Sequence, residues 1–70
     1  MWIYKAEVEF WGGKTKEFYS ANALKSFTDT IRQNTIKEIV FYGDHDRILE
    51  VFTCKFKLQK AYSFARKNGF

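Results

Sequence analysis

Residues 19–33, YSANALKSFTDTIRQ, form the one stretch of the 70-residue chain that predicts an amphipathic helix with a definable start. Leu24, Phe27 and Ile31 follow one another at intervals of three and four, so a helix carries them along a single stripe. The runs before and after this stretch are patterned as strands. We therefore expect the apolar stripe to pack against a sheet.

The helix is predicted to begin at Ser20, because a serine hydroxyl there accepts a hydrogen bond from a free backbone N–H of the first turn. Tyr19 then precedes the cap, and Leu24 is the fourth helical residue. This is the spacing of a hydrophobic staple, in which the two side chains pack together where the chain enters the helix. The main helix is thus predicted over residues 20–33, with Asn34 as a left-handed cap.

A hairpin is predicted ahead of this helix. Residues 2–10 alternate between two faces, which is the pattern of a half-buried strand. One face carries Trp2, Tyr4, Ala6, Val8 and Phe10, and the other carries Ile3, Lys5, Glu7 and Glu9. Gly12 and Gly13 supply a tight turn, after which residues 14–19 form the second strand.

The register of this hairpin has two alternatives. A two-residue Gly-Gly loop sets Glu9 opposite Lys16 and places Phe18 on the face of the charged residues. A three-residue loop, which includes Trp11, places Phe18 beside Ala6 but sets Glu7 against Glu17, and like charges directly opposite each other are unfavourable. Charge pairing therefore favours the two-residue loop.

A second hairpin and a second helix are predicted after the main helix. The third strand covers residues 35–42, a polar turn covers residues 43–46, and the fourth strand covers residues 47–57. Near the start of that strand, Leu49 and Val51 break the alternation, as a β-bulge would. Residues 59–68 are good helix formers, and Gly69 is placed to end a short C-terminal helix.

These elements predict an α+β fold in a single domain over residues 1–70. The order ββαββα, with the main helix as the crossover between two hairpins, gives a four-stranded, mostly antiparallel sheet with strand order 2-1-3-4. The fold class is a two-layer sandwich of this sheet with one main helix and a short C-terminal helix.

Composition limits the stability and the location of such a domain. A chain of this length has a thin core, and Cys54 is the only cysteine, so no disulfide supports it. Small domains without disulfides or metals often gain stability by self-association, so a homodimer is an open alternative. The charged N-terminal stretch predicts no signal peptide, and no apolar run is long enough for a membrane helix. We expect a cytoplasmic protein that does not enter a membrane.

The sequence predicts no catalytic, cofactor or metal site. The one histidine, His45, lies in a turn, and Cys54 shares a strand face with Phe52 and Phe56, where an inert buried thiol is expected. The adjacent Asp44, His45 and Asp46 cannot easily converge on one ion. Glu7 and Glu9 lie among lysines, as on a solvated strand face. No nucleotide-binding glycine loop occurs. We therefore predict that the chain is not an enzyme.

The positive charge of the chain is concentrated near its C-terminus. The net charge is +4, but residues 55–70 contain five basic residues and no acid. A candidate nucleic-acid or anion surface comprises Lys55, Lys57, Lys60, Tyr62, Arg66 and Lys67. Lysine and arginine bind phosphates with release of counterions, and Tyr62 could stack on a base.

A candidate protein-binding surface is predicted on the sheet face opposite the main helix. It would be formed by Ile3, Trp11 and, in the favoured register, Phe18, extended by Val51 or Leu49 and by Val40 or Tyr42. Such a face is too apolar to stay uncovered on a small monomer. The C-terminal helix, a second copy or another protein could cover it, and an edge strand could pair with a partner's sheet.

The sequence accordingly predicts a small binding protein, similar in size and composition to accessory proteins of phages and mobile elements, many of which bind and inhibit a host factor. It would bind a protein partner through the apolar face, with Trp11 as anchor, and through the basic patch. Replacement of Trp11 by Ala should then abolish binding without unfolding. The alternative is a nucleic-acid-binding module that uses the surface from Lys55 to Lys67.

Overall fold

Four strands and two helices follow one another in the predicted order ββαββα in a computed structural model that describes residues 2–53 and 58–70. The strands are β1 Lys5–Phe10, β2 Thr15–Phe18, β3 Ile36–Tyr42 and β4 Ile48–Thr53, and the helices are α1 Ala21–Thr28 and α2 Leu58–Lys67. A single 3₁₀ turn occupies Gln33–Thr35, and a tight turn occupies Asp44–Asp46. The predicted end of the fourth strand, with Cys54, Lys55, Phe56 and Lys57, lies outside the described residues.

The sheet has the predicted order β2-β1-β3-β4, and each pair of neighbouring strands is antiparallel. Both helices pack on the same sheet face. The ring of Phe41 in β3 contacts the ring of Phe64 in α2, and both Leu24 of α1 and Ala61 of α2 are fully buried in the same cluster. The two-layer α+β sandwich is confirmed, and α2 does not cover the opposite face, which we call the open face.

The first hairpin adopts the three-residue loop, so the favoured two-residue register is wrong. Ala6 lies opposite Phe18, and Glu7 lies opposite Glu17. Phe10 donates its N–H to Lys14 O at 2.8 Å, and Gly13, with φ of +91°, donates to Phe10 O at 2.9 Å. Burial decides against the charge pairing, because this register moves Phe18 into the core, where a phenylalanine ring contributes about 1.5–3 kcal/mol.

Helix α1 begins as predicted and ends earlier than predicted. The Ala23 N–H donates to Ser20 Oγ at 3.1 Å, which confirms the cap. The helix ends at Thr28, whose hydroxyl donates to Leu24 O at 3.0 Å within the turn. Thr28, Asp29 and Thr30 all have low helix propensity, which explains the early end. The predicted cap Asn34 lies in a 3₁₀ turn and has no left-handed backbone.

The second hairpin closes through a tight turn that contains two strained residues. His45 and Asp46 both have positive φ, 58° and 57°, and Arg47 donates its N–H to Asp44 O at 3.2 Å. This is the geometry of a type I′ turn, in which Asn-Gly is the preferred central pair. The predicted bulge is confirmed at Leu49, because Phe41 pairs with Glu50 and the next residue, Tyr42, pairs with Ile48.

The chain ends are held together on the helical side of the sheet. Gly69, with φ of +78°, ends α2 as predicted, and Phe70 donates its N–H to Ala65 O at 2.9 Å while Gly69 donates to Arg66 O at 3.3 Å. These two bonds define a Schellman motif. The Ile3 N–H donates to Asn68 O at 3.2 Å, so the N-terminal segment is bound to the end of α2.

Candidate protein-binding surface

The apolar open face predicted from the sequence is not formed by the described residues. Ile3 is 6% exposed and Phe18 is 7% exposed, and both belong to the hydrophobic core. Phe18 faces α1, where its ring lies 5.1 Å from that of Phe27. Ile3 precedes β1, and its backbone N–H donates to Asn68 O just after α2, so it does not continue the strand alternation. The two residues are therefore in no position to bind a partner directly.

Trp11 remains exposed, as expected of an anchor, but without its predicted neighbours. It lies in the hairpin loop, is 58% exposed, and donates its backbone N–H to Thr35 O at 3.3 Å. Of the other residues predicted to extend the surface, Val40 is nearly buried and Val51 is partly exposed on the open face, whereas Leu49 packs against the core. Trp11 thus stands at one end of the sheet.

The open face carries charge in place of the expected apolar surface. Glu7 and Glu17 lie opposite each other across β1 and β2, and Glu9 lies opposite Glu38 across β1 and β3. Lys5 donates to Glu17 Oε2 at 2.9 Å and lies 3.6 Å from Asp46 Oδ1, so it links β1, β2 and the second hairpin turn. This bridge explains how the sheet tolerates the Glu7–Glu17 pair.

Hydrogen bonds set the protonation of the Lys5–Glu17 pair. The Lys5 ammonium, followed by the Tyr19 hydroxyl that donates to Glu17 Oε1 at 3.0 Å, lowers the pKa of the Glu17 carboxyl. Glu17 in turn raises the pKa of Lys5. Both shifts favour the charged forms, so this contact is an ion pair at neutral pH.

The Glu9–Glu38 pair shows the opposite behaviour. Partial burial, followed by the hydrogen bond and the charge of Glu9, raises the pKa of the Glu38 carboxyl. Lys37 Nζ lies 3.6 Å from Glu9 Oε2 and offsets part of this repulsion. The ionised form of Glu38 is therefore disfavoured in the folded protein.

We expect Glu38→Gln to stabilise the protein slightly, by less than about 1 kcal/mol at neutral pH. The pKa of Glu38 is raised in the folded protein, so its contribution to the free energy of unfolding is fully present below its ordinary pKa of 4.5. That contribution is lost as the pH rises through the folded-state pKa. The advantage of the glutamine should therefore vanish in acid. Urea unfolding at neutral and acid pH measures it, with the exposed Asp44→Asn as the control. A constant advantage across this pH range would contradict the argument.

Three exposed aromatic residues gather at the end of the sheet opposite Trp11. Trp2 is 75% exposed, and Tyr4 and Tyr19 are each 58% exposed. The rings of Tyr4 and Tyr19 lie edge to face with centroids 5.8 Å apart. The predicted staple of Tyr19 with Leu24 stays a prediction. We call Trp2, Tyr4 and Tyr19 the aromatic pole.

The sequence pattern missed the aromatic pole because it placed Trp2 and Tyr4 on the core face of a strand. The strand begins only at Lys5, and the sheet ends before a second layer can cover these residues. The alternation of residues 2–10 gave no signal of where regular pairing begins.

The aromatic pole adjoins the strained turn of the second hairpin. Trp2 lines an open groove with Asp44, His45, Arg47 and Leu49, and Tyr4 lines a second groove with Asp44, His45 and Asp46. Non-glycine residues with positive φ cost about 1–2 kcal/mol each and persist where the surrounding structure enforces them. Polar, charged and aromatic groups thus converge at this end of the molecule.

Helix α2 presents part of the predicted basic surface. Lys60, Arg66 and Lys67 are exposed and lie at spacings that place them on one side of the helix. Tyr62 is not available for base stacking, because its hydroxyl bonds to Thr28 Oγ1 and its ring is half-buried beneath the Lys25 ammonium, 5.8 Å away. Lys55 and Lys57 lie outside the described residues, so their part of the surface stays a prediction.

Within residues 2–53 and 58–70, no three histidine, cysteine, aspartate or glutamate side chains are grouped so that they could hold a metal ion. In the same part of the chain, neither α1 nor α2 has the length and apolar character needed to cross a membrane. Comparison of the sequence with protein-family models, and of the chain with curated proteins and with solved structures, finds no match. The function is therefore to be inferred from the surface of the protein itself.

Proposed function

We propose that this chain is a small cytoplasmic, non-enzymatic binding protein that recognises a protein partner through the aromatic pole. An accessory role in which binding inhibits the partner is part of this proposal. The observation that carries it is that Tyr4 and Tyr19 expose their rings side by side, with Trp2 exposed at the same end of the sheet. Trp and Tyr are enriched among the residues that dominate binding energy at protein interfaces, because they offer a large contact area with few rotatable bonds.

The neighbouring side chains suit a protein surface as the ligand. Asp44, Asp46 and Arg47 provide charges of both signs around the rings. An apolar centre with a polar rim is the usual organisation of a protein interface. The Tyr19–Glu17–Lys5 hydrogen bonds also fix the Tyr19 ring before any partner arrives, which reduces the entropy lost on binding.

The test is capture of partners from bacterial lysate with the tagged chain, with and without nuclease, followed by affinity measurement for any protein that is retained. We expect a discrete nuclease-resistant protein. We also expect Tyr4→Ser combined with Tyr19→Ser to weaken its binding at least about tenfold, as loss of two interface aromatics does. Circular dichroism must show that the variant remains folded, since Tyr19 also bonds to Glu17.

Trp11→Ala is the matched control, because Trp11 is equally exposed but lies roughly 20 Å away along β1. The proposal predicts a smaller loss for this variant than for the tyrosine pair. If Trp11→Ala alone abolishes binding while the tyrosine variant binds normally, the hairpin tip is the anchor, as the sequence alone suggested, and the aromatic pole is not.

A nucleic-acid-binding module is the second candidate, and the exposed Lys60, Arg66 and Lys67 on α2 favour it. Binding through these residues would fall steeply with salt, because each phosphate contact releases counterions. The triple replacement by Ala should then remove most affinity for DNA or RNA, whereas Lys14→Ala, just before β2, should not. Capture that disappears with nuclease would favour this candidate over the aromatic pole.

A further inference from the structure

The two edges of the sheet differ in their protection against pairing with another strand. Strand β2 has four residues, of which two are charged, and follows Lys14. Strand β4 has six residues, ILEVFT, with Glu50 as its one charge. Natural edge strands are usually kept apart by short length, by lysine or by proline. In the described part of the chain, β2 has such protection and β4 has little.

Strand β4 also carries the exposed large aliphatic side chains of the described residues. These are Ile48, 58% exposed, and Val51, 37% exposed. Val51 pairs with Val40 on the open face, so an apolar row runs from the middle of the sheet to its edge. Exposed aliphatic residues on an edge strand are the side-chain condition for pairing with another strand.

The backbone of Val51 points away from the sheet. Phe10 donates its N–H to the residue just before β2, and the register of β1 with β2 has no shift, so Glu7 directs its backbone groups to β3. By the same alternation, the backbone N–H and C=O groups of Val40 point towards β1, and those of Val51 point away from β3. The Val51 N–H accordingly donates to Glu50 Oε1, at 3.0 Å. A carboxylate oxygen thus occupies the place that a carbonyl of an added strand would take.

We propose that β4 pairs with β4 of a second copy of this chain, antiparallel about a two-fold axis at Val51. Residues directly opposite each other in paired strands must point to the same face of the sheet. A two-fold axis at Val51 meets this condition. In this register each Val51 N–H donates to the Val51 carbonyl of the other copy, replacing Glu50 Oε1. The two four-stranded sheets become one continuous sheet with all helices on one side.

The side chains fit a second copy in this register. The apolar row becomes Val40, Val51, Val51 and Val40 across the two copies. Glu50 is set opposite Phe52 of the other copy, so two Glu50 carboxylates do not face each other, as they would in a Glu50-centred register. A two-fold contact uses the same β4 edge of both copies. Assembly therefore stops at a dimer and does not continue into a fibre.

Sedimentation velocity of the full chain, from about 1 μM to about 1 mM, tests this proposal. We expect a monomer–dimer equilibrium for the natural chain. Val51→Lys should raise its dissociation constant at least about tenfold, because two lysines would face each other at the axis. Thr15→Lys on the β2 edge is the matched control and should leave the equilibrium unchanged.

A second measurement does not depend on the effect of a charge. In a Cys54→Ser background, Val51→Cys should form an intermolecular disulfide under mild oxidation, because hydrogen-bonded antiparallel pairs have Cα atoms about 5.5 Å apart. Thr15→Cys in the same background should not. A natural chain that stays monomeric throughout, an unchanged equilibrium in Val51→Lys, or equal cross-linking of both cysteine variants would each overturn the proposal. The tyrosine variant of the aromatic pole should still dimerise, so the two proposals can fail separately.

Discussion

Phe41→Ala should leave most of the protein unfolded at room temperature or lower its thermal midpoint by more than about 12 °C, since about 1 kcal/mol shifts a domain of this size by about 4–8 °C. Phe41 is fully buried at the centre of β3. Its ring lies 5.8 Å from that of Phe52, 5.5 Å from that of Phe64 and 5.9 Å from that of Phe70, so it joins β4, α2 and the C-terminus.

The size of this effect follows from the cavity that alanine would leave. Replacement of a buried phenylalanine by alanine costs about 3–5 kcal/mol, and a 70-residue domain has a total stability of roughly 4–10 kcal/mol. Phe41→Leu fills most of the space and should cost less than about 1.5 kcal/mol. Urea unfolding followed by circular dichroism compares the three proteins. An average single mutation costs about 1 kcal/mol. If the alanine variant loses no more than this in its free energy of unfolding, Phe41 does not have this role.

Gly69→Ala should destabilise the protein by about 2 kcal/mol, the second largest effect that we expect. Gly69 ends α2 with φ of +78°, a conformation that costs a residue with a Cβ about 1 kcal/mol. An added Cβ would also overlap Cε3 and Cζ3 of the Trp2 ring. Trp2 would have to leave its place against the helix end, which adds the loss of that packing to the backbone strain.

Substitutions at two other glycines separate the cost of backbone strain from the cost of lost Trp2 packing. Gly13 has φ of +91° with no atom near its Cβ position, so Gly13→Ala should show the backbone cost alone, about 1 kcal/mol. Gly12 has open space and no positive φ, so Gly12→Ala should be close to neutral. In a Trp2→Ala background, Gly69→Ala should cost no more than Gly13→Ala. An equal cost with and without Trp2 would show that the ring does not limit this position.

Much of the fold could be predicted from local sequence. The Ser20 cap, the four strands, the Leu49 bulge and the Gly69 cap each depend on residues within a few positions of one another, and the structure contains all of them. The strand order followed from the number and type of the elements, since a single helical crossover between two hairpins allows few arrangements.

The binding surface could not be predicted in the same way, because burial depends on which layers cover a residue. A shift of the first hairpin by one residue moved Phe18 from the open face into the core, since side chains alternate with a period of two. The favourable charge pair of the other register was outweighed because exposed ion pairs contribute about 0–1 kcal/mol, less than a buried ring.

The amino-acid sequence by itself determined the strands, the helices, their order and the glycine turns of this protein, because these follow from side-chain periodicity and backbone preference. Only the tertiary structure decided that α2 packs beside α1, that Ile3 and Phe18 are buried, and that Tyr62 bonds to Thr28. It also decided that Trp2, Tyr4 and Tyr19 form an exposed pole. These outcomes depend on contacts between residues far apart in the chain, whose free energies exceed the local preferences that a sequence pattern records.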